Sequence, residues 1–288
     1  MKVVVFGSSG MLGGVVNEVL SNYFEVVTIG RDRTHSDYVI DFSDFNSLNE
    51  LLDVIKSDAI INCIALTDIS SCEKNPSLAF FSNYIIPLFL SKRKERLIHI
   101  STDSVFDGLA GSYDEVSLPH PLNVYAASKL SGEYPVLSSN GLVVRTNIFG
   151  FNLNSEGKSL FEWAANQISS NQPIKGFRNV FFNPVSIFTL ADVLMNCLEK
   201  EMTGLLNVGS KNYVSKFDFL QYVINFLNSS YKDLQSSEYL DSDVLRPRNT
   251  TLITDKIMSF GIEMPELSDE VYKVVELFNQ RRVFTNDR

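Results

Sequence analysis

The sequence predicts an α/β protein with a doubly wound parallel sheet and a smaller, irregular α/β lobe. The chain opens on a short apolar run rich in β-branched residues, Val3–Phe6, which is typical of a strand buried on both faces of a sheet. Similar runs alternate with helical patterns as far as Gly150, and this alternation favours a parallel sheet covered by helices. After Gly150 the apolar spacing becomes irregular, so a different kind of lobe is expected there.

A glycine-rich segment joins the first strand to a helix predicted over Met11–Leu20. Its GxxGxxG spacing predicts three roles: Gly7 permits a tight turn, Gly10 lets the backbone approach a pyrophosphate, and Gly13 lets the helix pack closely on the sheet. Amides at the helix N-terminus would then hold the phosphates. The order of strand, loop and helix favours a Rossmann-type dinucleotide site over a turn without a ligand. The cofactor-binding residues predicted here are Gly7, Ser9, Gly10, Met11, Leu12 and Gly13.

The end of the second predicted strand, Glu25–Ile29, bears on the choice of cofactor. Sites specific for NAD carry an acidic residue here that binds the ribose 2′-hydroxyl. In this chain Arg31 comes first after Gly30, and a guanidinium suits a 2′-phosphate. We therefore predict NADP(H). NAD(H) stays an alternative because Asp32 follows directly, and a solvated loop arginine is the alternative for Arg31 itself.

The remaining elements of the first half follow in order. The predicted strands are Tyr38–Asp41, Ala59–Ile64, Leu97–Ser101 and Gly141–Arg145, with helices over Ser47–Ile55 and Ser77–Lys94. Pro87 is expected to kink or break the second of these helices. Ligands of doubly wound sheets lie beyond the carboxyl ends of the strands. Asp41 and Phe42 are therefore expected at the adenine, and Ala65 and Thr67 beside the cofactor.

A tyrosine and a lysine four residues apart are the candidate catalytic pair. On a helix this spacing puts Tyr125 and Lys129 on one face, about 5–6 Å apart at Cβ. A nearby cation favours ionised tyrosine and lowers its pKa, so that it can act as a general acid or base. Thr102, after the fifth strand, adds a hydroxyl near this helix. The alternative interpretation is an ordinary exposed helix face.

The second half contains helical patterns over Leu160–Ser169, Leu190–Glu199, Lys216–Leu227 and Ser268–Arg281, and a strand over Gly204–Val208. We predict a dinucleotide-binding domain over residues 1–150 and a substrate lobe over residues 151–288. One strand and one helix of the lobe are expected to return to the first domain.

Composition narrows the range of partners. A net charge of −9 argues against binding to nucleic acid or to an anionic membrane surface. The three cysteines and three histidines show neither a disulfide framework nor metal-ligand spacing. No apolar run reaches the length of a membrane span, and the N-terminus lacks the pattern of a signal peptide. A cytoplasmic protein without a metal is expected.

Four motifs in order resemble the extended short-chain dehydrogenase/reductases, and more narrowly the dTDP-4-dehydrorhamnose reductase family. Ser101–Gly108 is similar to that family's STDYVFDG, and Pro121–Glu133 to its PLNVYGxTKLxGE. Val144–Thr146 and Arg246–Leu252 match its RTS and RPxNSxL segments. The resemblance runs nearly end to end.

The resemblance implies a reductase of a nucleotide-linked 4-keto-6-deoxyhexose in polysaccharide or glycoside biosynthesis. Tyr125 would give a proton to the C4 oxygen as hydride arrives, Lys129 would lower the pKa of that tyrosine and bind the nicotinamide ribose, and Thr102 would bind the same oxygen. Departures at Ser104, Ile148 and Lys175–Pro184 leave the sugar and its nucleotide open. The substrate-binding residues expected are Thr102, Ser104, Ile148, Arg178 and Arg246, with surface ion pairs as the alternative for the two arginines.

Two other functions share the fold. The chain could be a nucleotide-sugar epimerase or dehydratase that retains NAD, or a non-catalytic subunit like the regulatory β-subunit of methionine adenosyltransferase, which binds a dinucleotide and a partner protein. Fold alone does not separate these functions. A homodimer is compatible with each of them.

Overall fold

Parallel strands form the centre of the computed structural model, which describes residues 1–153, 159–228, 230–240 and 244–286, with side chains as far as Arg281. The strands are β1 (Lys2–Phe6), β2 (Glu25–Gly30), β3 (Tyr38–Val39), β4 (Ala59–Asn62), β5 (Arg96–Ile100), β6 (Leu142–Thr146), β7 (Ile148–Phe149), β8 (Ile174–Phe177), β9 (Phe181–Phe182), β10 (Val185–Ser186), β11 (Gly204–Val208), β12 (Val214–Ser215) and β13 (Leu234–Ser237).

Helices cover both faces of this sheet and build most of the second lobe. They are α1 (Met11–Leu20), α2 (Phe45–Ile55), α3 (Ile69–Lys74), α4 (Pro76–Phe80), α5 (Ile86–Leu90), α6 (Val124–Ser138), α7 (Leu160–Ser169), α8 (Ile187–Glu199), α9 (Lys216–Leu227), α10 (Asp255–Ser259) and α11 (Leu267–Asn286). A π-helical turn, Phe81–Ile85, joins α4 to α5, and a 3₁₀ turn, Asp103–Val105, follows β5.

The seven-stranded sheet has the order β11-β6-β5-β4-β1-β2-β3, and every pair in it is parallel. The chain winds outward from β1 in one direction through β2 and β3, and in the other through β4, β5 and β6. The carboxyl ends of β1 and β4 therefore flank the point where the strand order reverses, which is where doubly wound sheets bind ligands. The predicted fold class, an α/β Rossmann-type sheet with a smaller lobe, is confirmed.

The opening strand is apolar throughout because helices cover both of its faces. Val3 and Val5 pack in one core with Leu12, Val15 and Val16 of α1. Val4 and Phe6 belong to the core on the opposite face, which includes residues of α2 and α5. All four strand residues are fully buried, as a continuous apolar run in a parallel sheet predicts.

The helix predicted over Ser77–Lys94 differs from the observed structure. It consists of α4, the π-helical turn and α5, and it ends at Leu90. Pro87 does not break it, because the proline lies in the first turn of α5. In the basic segment that follows, Arg93 donates hydrogen bonds to Asn49 and Asp53 of α2 and to Glu95.

The second half of the chain returns twice to the first. The strand β11 pairs with β6 from Leu142 to Thr146, and α8 packs in the core that contains α1. A separate aromatic core, with Phe161, Phe182 and Phe219 at its centre, holds α7, α9 and α11 together. The division at residue 150 stays a prediction. No helix in the described part of the chain is long and apolar enough to span a membrane.

Candidate functional site

A cavity of about 420 Å³ lies at the carboxyl ends of β1, β4, β5 and β6. The glycine segment forms one wall, and α6 forms the other. The residues that line it are Gly10, Met11, Leu12, Gly13, Cys63, Ala65, Thr67, Ile100, Ser101, Thr102, Asp103, Ser104, Tyr125, Lys129, Thr146, Asn147 and Ile148. All three candidate catalytic residues and most of the predicted glycine segment are thus brought together.

Two glycines shape the loop after β1. Gly7 has a φ of +82°, in the left-handed region that favours glycine. A Cβ at Gly13 would overlap the carbonyl oxygen of Gly7 and come within 2.7 Å of its carbonyl carbon. The first turn of α1 therefore packs directly against the loop. No side chain of the described residues caps α1 at Gly10, whereas Asp44, Asn123 and Ser186 cap α2, α6 and α8. The amides of the first turn of α1 can donate hydrogen bonds to an anion there.

The loop after β2 folds back on itself and leaves Arg31 exposed. Ser8 of the glycine segment donates a hydrogen bond of 2.6 Å to the carbonyl of His35 and so ties the two loops together. The Asp32 carboxylate accepts the Thr34 N–H at 2.9 Å and lies 3.0 Å from Nδ1 of His35. The Thr34 N–H is the main reason that the pKa of Asp32 is lowered. Asp32 is thus engaged within its own loop, while Arg31 forms no ion pair with the described residues.

The two residues expected at the adenine lie in different environments. Asp41 is exposed, and its carboxylate accepts the Ser43 N–H at 2.9 Å. The Phe42 ring is buried, with its centroid 5.9 Å from that of Phe6. Phe42 therefore presents little of its ring to a ligand and acts as a core residue. Ala65 and Thr67 both line the cavity.

The position of α6 is fixed at its start and along one face. Asn123 caps it by accepting the Ala126 N–H at 2.9 Å. A Cβ at Gly132 would overlap the carbonyl oxygen of Asn83 in the π-helical turn, so the two helices approach at backbone distance. Asn83 donates 2.9 Å to the hydroxyl of Ser128 and also pairs with both backbone groups of Leu66. The tyrosine and lysine of α6 are held against the sheet by these contacts.

Tyr125 is protonated at neutral pH. Burial raises the pKa of its phenol to about 12, and the negative charge of Asp103 adds to the rise, while a hydrogen bond with Thr102 opposes it. The expectation of a lowered tyrosine pKa is therefore wrong for the protein alone, because desolvation of the buried phenol is the largest effect on it. The protonated phenol is the form that can give a proton to an oxygen in the cavity.

Lys129 is buried beneath Tyr125, and only 2% of its surface is exposed. Its ammonium donates a hydrogen bond of 2.6 Å to the carbonyl of Ile100 and lies 3.4 Å from Nε2 of His99. Burial lowers the pKa of Lys129 to about 8, with Glu133 opposing the change. Burial and the positive charge of Lys129 hold the pKa of His99 well below its usual value. The lysine is therefore the charged member of this pair at neutral pH.

A set of buried polar residues in the cavity wall and behind it could not be recognised from the sequence. Glu133 accepts hydrogen bonds from Arg145 at 2.7 and 3.0 Å and from the hydroxyl of Ser101. Asp103 accepts hydrogen bonds from Asn147 at 2.8 Å and from Thr250. These pairs join α6, β6 and the late segment around residue 250 to the loop after β5. The motifs contain Glu133, Asp103 and Arg145, but pairing across 12 to 147 residues leaves no local signal in the sequence.

The predicted substrate residues divide into two groups. Thr102, Ser104 and Ile148 line the cavity. Arg178 and Arg246 do not, so their role in binding the substrate pyrophosphate stays a prediction.

The two arginines, Arg178 and Arg246, lie in exposed surroundings outside the cavity lining. Arg178 is exposed, donates 2.8 Å to the Ser236 hydroxyl and stacks 3.7 Å above the Phe217 ring. Arg246 is exposed. Hydrogen bonds from Ser71 are the main reason that the pKa of the Asp68 carboxyl is lowered, and the nearby charge of Arg246 adds to this effect. Among the described residues, no group of three His, Cys, Asp or Glu side chains could hold a metal ion.

Several known proteins are similar to this chain over most of its length. A reductase of Haloferax volcanii, described as a probable low-salt glycan biosynthesis reductase, is 28% identical over 97% of this chain and 99% of its own length. Methionine adenosyltransferase 2 subunit beta of Pongo abelii is 28% identical over 91% of this chain and 83% of its own length. A crystal structure of dTDP-4-dehydrorhamnose reductase from Bacillus anthracis, in complex with NADP, superposes with a TM-score of 0.85 over 95% of this chain and 98% of that one.

At 21% identity the Bacillus anthracis structure bears on the fold alone. The family is shown by a match of the family model described as the RmlD substrate binding domain, which covers residues 1–280. This confirms the resemblance to dTDP-4-dehydrorhamnose reductases and the enzyme class predicted from the motifs, and the chain belongs to the RmlD substrate binding domain family of extended short-chain dehydrogenase/reductases.

Proposed function

We propose that this protein is an NADPH-dependent reductase that converts a nucleotide-linked 4-keto-6-deoxyhexose to the corresponding alcohol. The observation that carries the proposal is the cavity in which Thr102, Tyr125 and Lys129 face the first turn of α1. A glycine loop with free helix amides is suited to a pyrophosphate, and a protonated phenol is suited to a carbonyl oxygen. Both lie in one cavity.

The residues of the site fit a bound dinucleotide. The amides of the uncapped α1 would hold its pyrophosphate, with Gly10 presenting no side chain. Arg31, which has no ion pair within the described ranges, would bind a 2′-phosphate, since Asp32 is held within its own loop. Arginine recognises phosphate in a bidentate manner. This favours NADPH over NADH.

In this reaction Thr102, Tyr125 and Lys129 each have one role. NADPH supplies the hydride that adds to the C4 carbonyl carbon of the sugar. Tyr125 gives its phenolic proton to the carbonyl oxygen, so that no free alkoxide accumulates. The hydroxyl of Thr102 binds the same oxygen and holds it near the phenol. The positive charge of Lys129 stabilises the phenolate left behind until a proton from water restores it.

The direct test measures the absorbance of NADPH at 340 nm on addition of a 4-keto-6-deoxy sugar. The purified protein is given dTDP-, UDP- or GDP-linked forms of the sugar in turn, with NADH as the comparison cofactor. We expect at least one keto-sugar to be reduced, with NADPH preferred. If none of the three consumes either cofactor, the reductase assignment is wrong.

The similarity to the methionine adenosyltransferase subunit supports a second candidate, a regulatory subunit without catalysis. A stable complex with a methionine adenosyltransferase, together with no reduction of any keto-sugar, would favour it. Tightly bound NAD⁺ without net turnover would instead favour an epimerase or dehydratase. The intact set of Thr102, Tyr125 and Lys129 in one cavity favours the reductase over the regulatory subunit.

A further inference from the structure

The amino group of Lys216, the first residue of α9, lies in the second lobe without an acidic partner. Its Nζ is 3.2 Å above the centroid of the Phe182 ring, and the residue is half-buried. Its ammonium has no ion pair or hydrogen bond with the residues that the structure describes. Burial lowers the pKa of Lys216 to about 7, although Asp103 opposes the change. A partly buried cation without an anionic partner is unfavourable in free energy, and such groups are common where a ligand binds.

Hydrogen bonds connect this position to the cavity. The strand β9, which contains Phe182, pairs with β12 just before Lys216. On its other edge, the carbonyl of Phe181 accepts the Thr250 N–H at 3.1 Å, and the Thr250 hydroxyl donates to Asp103 in the cavity wall. Asp103 is close enough to influence the pKa of both Tyr125 and Lys216. Lys216 and the catalytic phenol therefore flank one carboxylate.

Asp103 does not serve as the hydrogen-bonding partner of Lys216. Its two oxygens already accept hydrogen bonds from Asn147, Thr250 and the hydroxyl of Ser104. Neither Lys216 nor the two arginines expected to bind substrate phosphate line the cavity, but Lys216 is near enough to Asp103 in the cavity wall for the two charges to interact. The chain as a whole carries a net charge of −9, so an anionic substrate that extends from the cavity toward the second lobe needs a local cation, which Lys216 can supply.

We propose that Lys216 binds the diphosphate of the nucleotide-linked substrate and so sets the affinity of the site for nucleotide sugars. This assignment rests on the proposed function and adds to it a substrate-binding residue in the second lobe. A lysine ammonium is a compact point charge suited to phosphate oxygens. The Phe182 ring beneath it keeps the ammonium in place through a cation–π contact until the diphosphate is bound.

The experiment measures the binding of dTDP-glucose and UDP-glucose by calorimetry to protein saturated with NADPH. Both probes carry the diphosphate but no keto group, so neither is reduced. Lys216→Met keeps the packing on Phe182 and removes the charge, and Lys216→Arg keeps the charge. Lys211→Met is the matched control, because it removes an exposed lysine from the loop that leads to β12. We expect Lys216→Met to weaken the better probe about tenfold or more, and the other two variants to stay within about threefold.

Several outcomes would overturn the assignment. One is that Lys216→Met binds the probes with undiminished affinity. Another is that Lys211→Met or Lys216→Arg loses as much affinity as Lys216→Met does. The last is that neither probe binds to the unaltered protein. NADPH affinity, measured in parallel, must stay unchanged in Lys216→Met, since a general loss of structure would lower both affinities. If the probes bind through Lys216 but no keto-sugar consumes NADPH, the reductase proposal fails and the diphosphate site stands.

Discussion

Burial sets the charge of both ionisable residues in the cavity. It raises the pKa of Tyr125 to about 12 and lowers that of Lys129 to about 8, since the charged form of each is disfavoured away from water. The sequence shows the spacing of the pair but not its burial. For that reason the expectation of a lowered tyrosine pKa fails, although both residues line one cavity. The neutral phenol is nevertheless the form that a reduction requires.

Replacement of Tyr125 by phenylalanine tests the proton donor. General acid catalysis contributes roughly 10²–10⁴-fold, so we expect kcat for keto-sugar reduction to fall by about that factor in Tyr125→Phe. NADPH binding should stay unchanged. Tyr134→Phe is the control, because Tyr134 lies on the same helix with 60% of its surface exposed. A Tyr125→Phe variant that keeps more than about a tenth of the activity would contradict the assigned role.

The ionisation of Lys129 predicts an alkaline limit to activity. Raising the pH removes the proton of Lys129, so kcat at saturating keto-sugar should fall as the pH rises through about 8, where its pKa lies. Tyr125 and Cys63 have pKa values near 12, and His99 is neutral throughout, so none of them titrates in this range. Lys216 has a pKa of about 7, but its proposed role is in substrate binding, so saturation with the keto-sugar removes its effect. A profile of kcat from pH 6 to pH 10 measures the limit. A flat profile to pH 10 would show that the lysine charge is not needed.

At the scale of single elements, the glycine segment and α6 were predictable for different reasons. The segment after β1 follows from glycines at fixed spacing in a strand–loop–helix context, and α1 ends at Leu20 as its pattern predicts. The position of α6 depends on the π-helical turn, where the Asn83 carbonyl meets Gly132. No propensity in the sequence indicates a π-turn, because an inserted residue alters helix periodicity only locally.

Two glycine variants separate the fold of the loop from its function. A Cβ at Gly13 would overlap the backbone of Gly7, whereas a Cβ at Gly10 would have no closer neighbour than the Gly7 oxygen at 3.3 Å. Gly10 also has an ordinary φ of −78°. We expect Gly13→Ala to lower the free energy of unfolding by about 1–3 kcal/mol, as overpacking does. Gly10→Ala should keep its stability within about 1 kcal/mol.

NADPH binding provides the second measurement on these variants. If the segment holds a pyrophosphate, a methyl group at Gly10 blocks its approach, and NADPH should bind at least about tenfold more weakly to a stable Gly10→Ala protein. Urea unfolding gives the stability, and thermal shift with NADPH gives the binding. Full NADPH affinity in Gly10→Ala would place the phosphates elsewhere.

At the scale of the whole molecule, the sheet could be predicted and the lobe could not. Strands that are buried on both faces are apolar throughout, so β1, β4 and β5 are visible in the sequence, and their carboxyl ends meet at one edge. The lobe instead contains paired strands of two residues, such as β9 with β12 and β7 with β10. Segments this short carry no periodicity, so Arg178 and Arg246 could not be placed from the sequence.

The predicted division at residue 150 is also a statement about the whole molecule. The second half supplies β11 to the sheet edge beside β6, and it supplies Leu190, Ala191 and Leu194 of α8 to the core around α1. These three side chains are fully buried. A fragment of residues 1–150 would expose the apolar face of α1 and an edge of the sheet.

We therefore expect the fragment of residues 1–150 to lack a cooperative unfolding transition, because the core that stabilises it is shared between both halves. Urea unfolding followed by far-ultraviolet circular dichroism measures this, with the full chain as the reference. In the full chain, Leu194→Ala should cost about 2–5 kcal/mol, as for a buried leucine, and should lower the apparent stability with and without NADPH alike. A fragment that unfolds cooperatively and is stabilised by NADPH would show that the first 150 residues form an independent domain, which does not need the packing of α8 to fold.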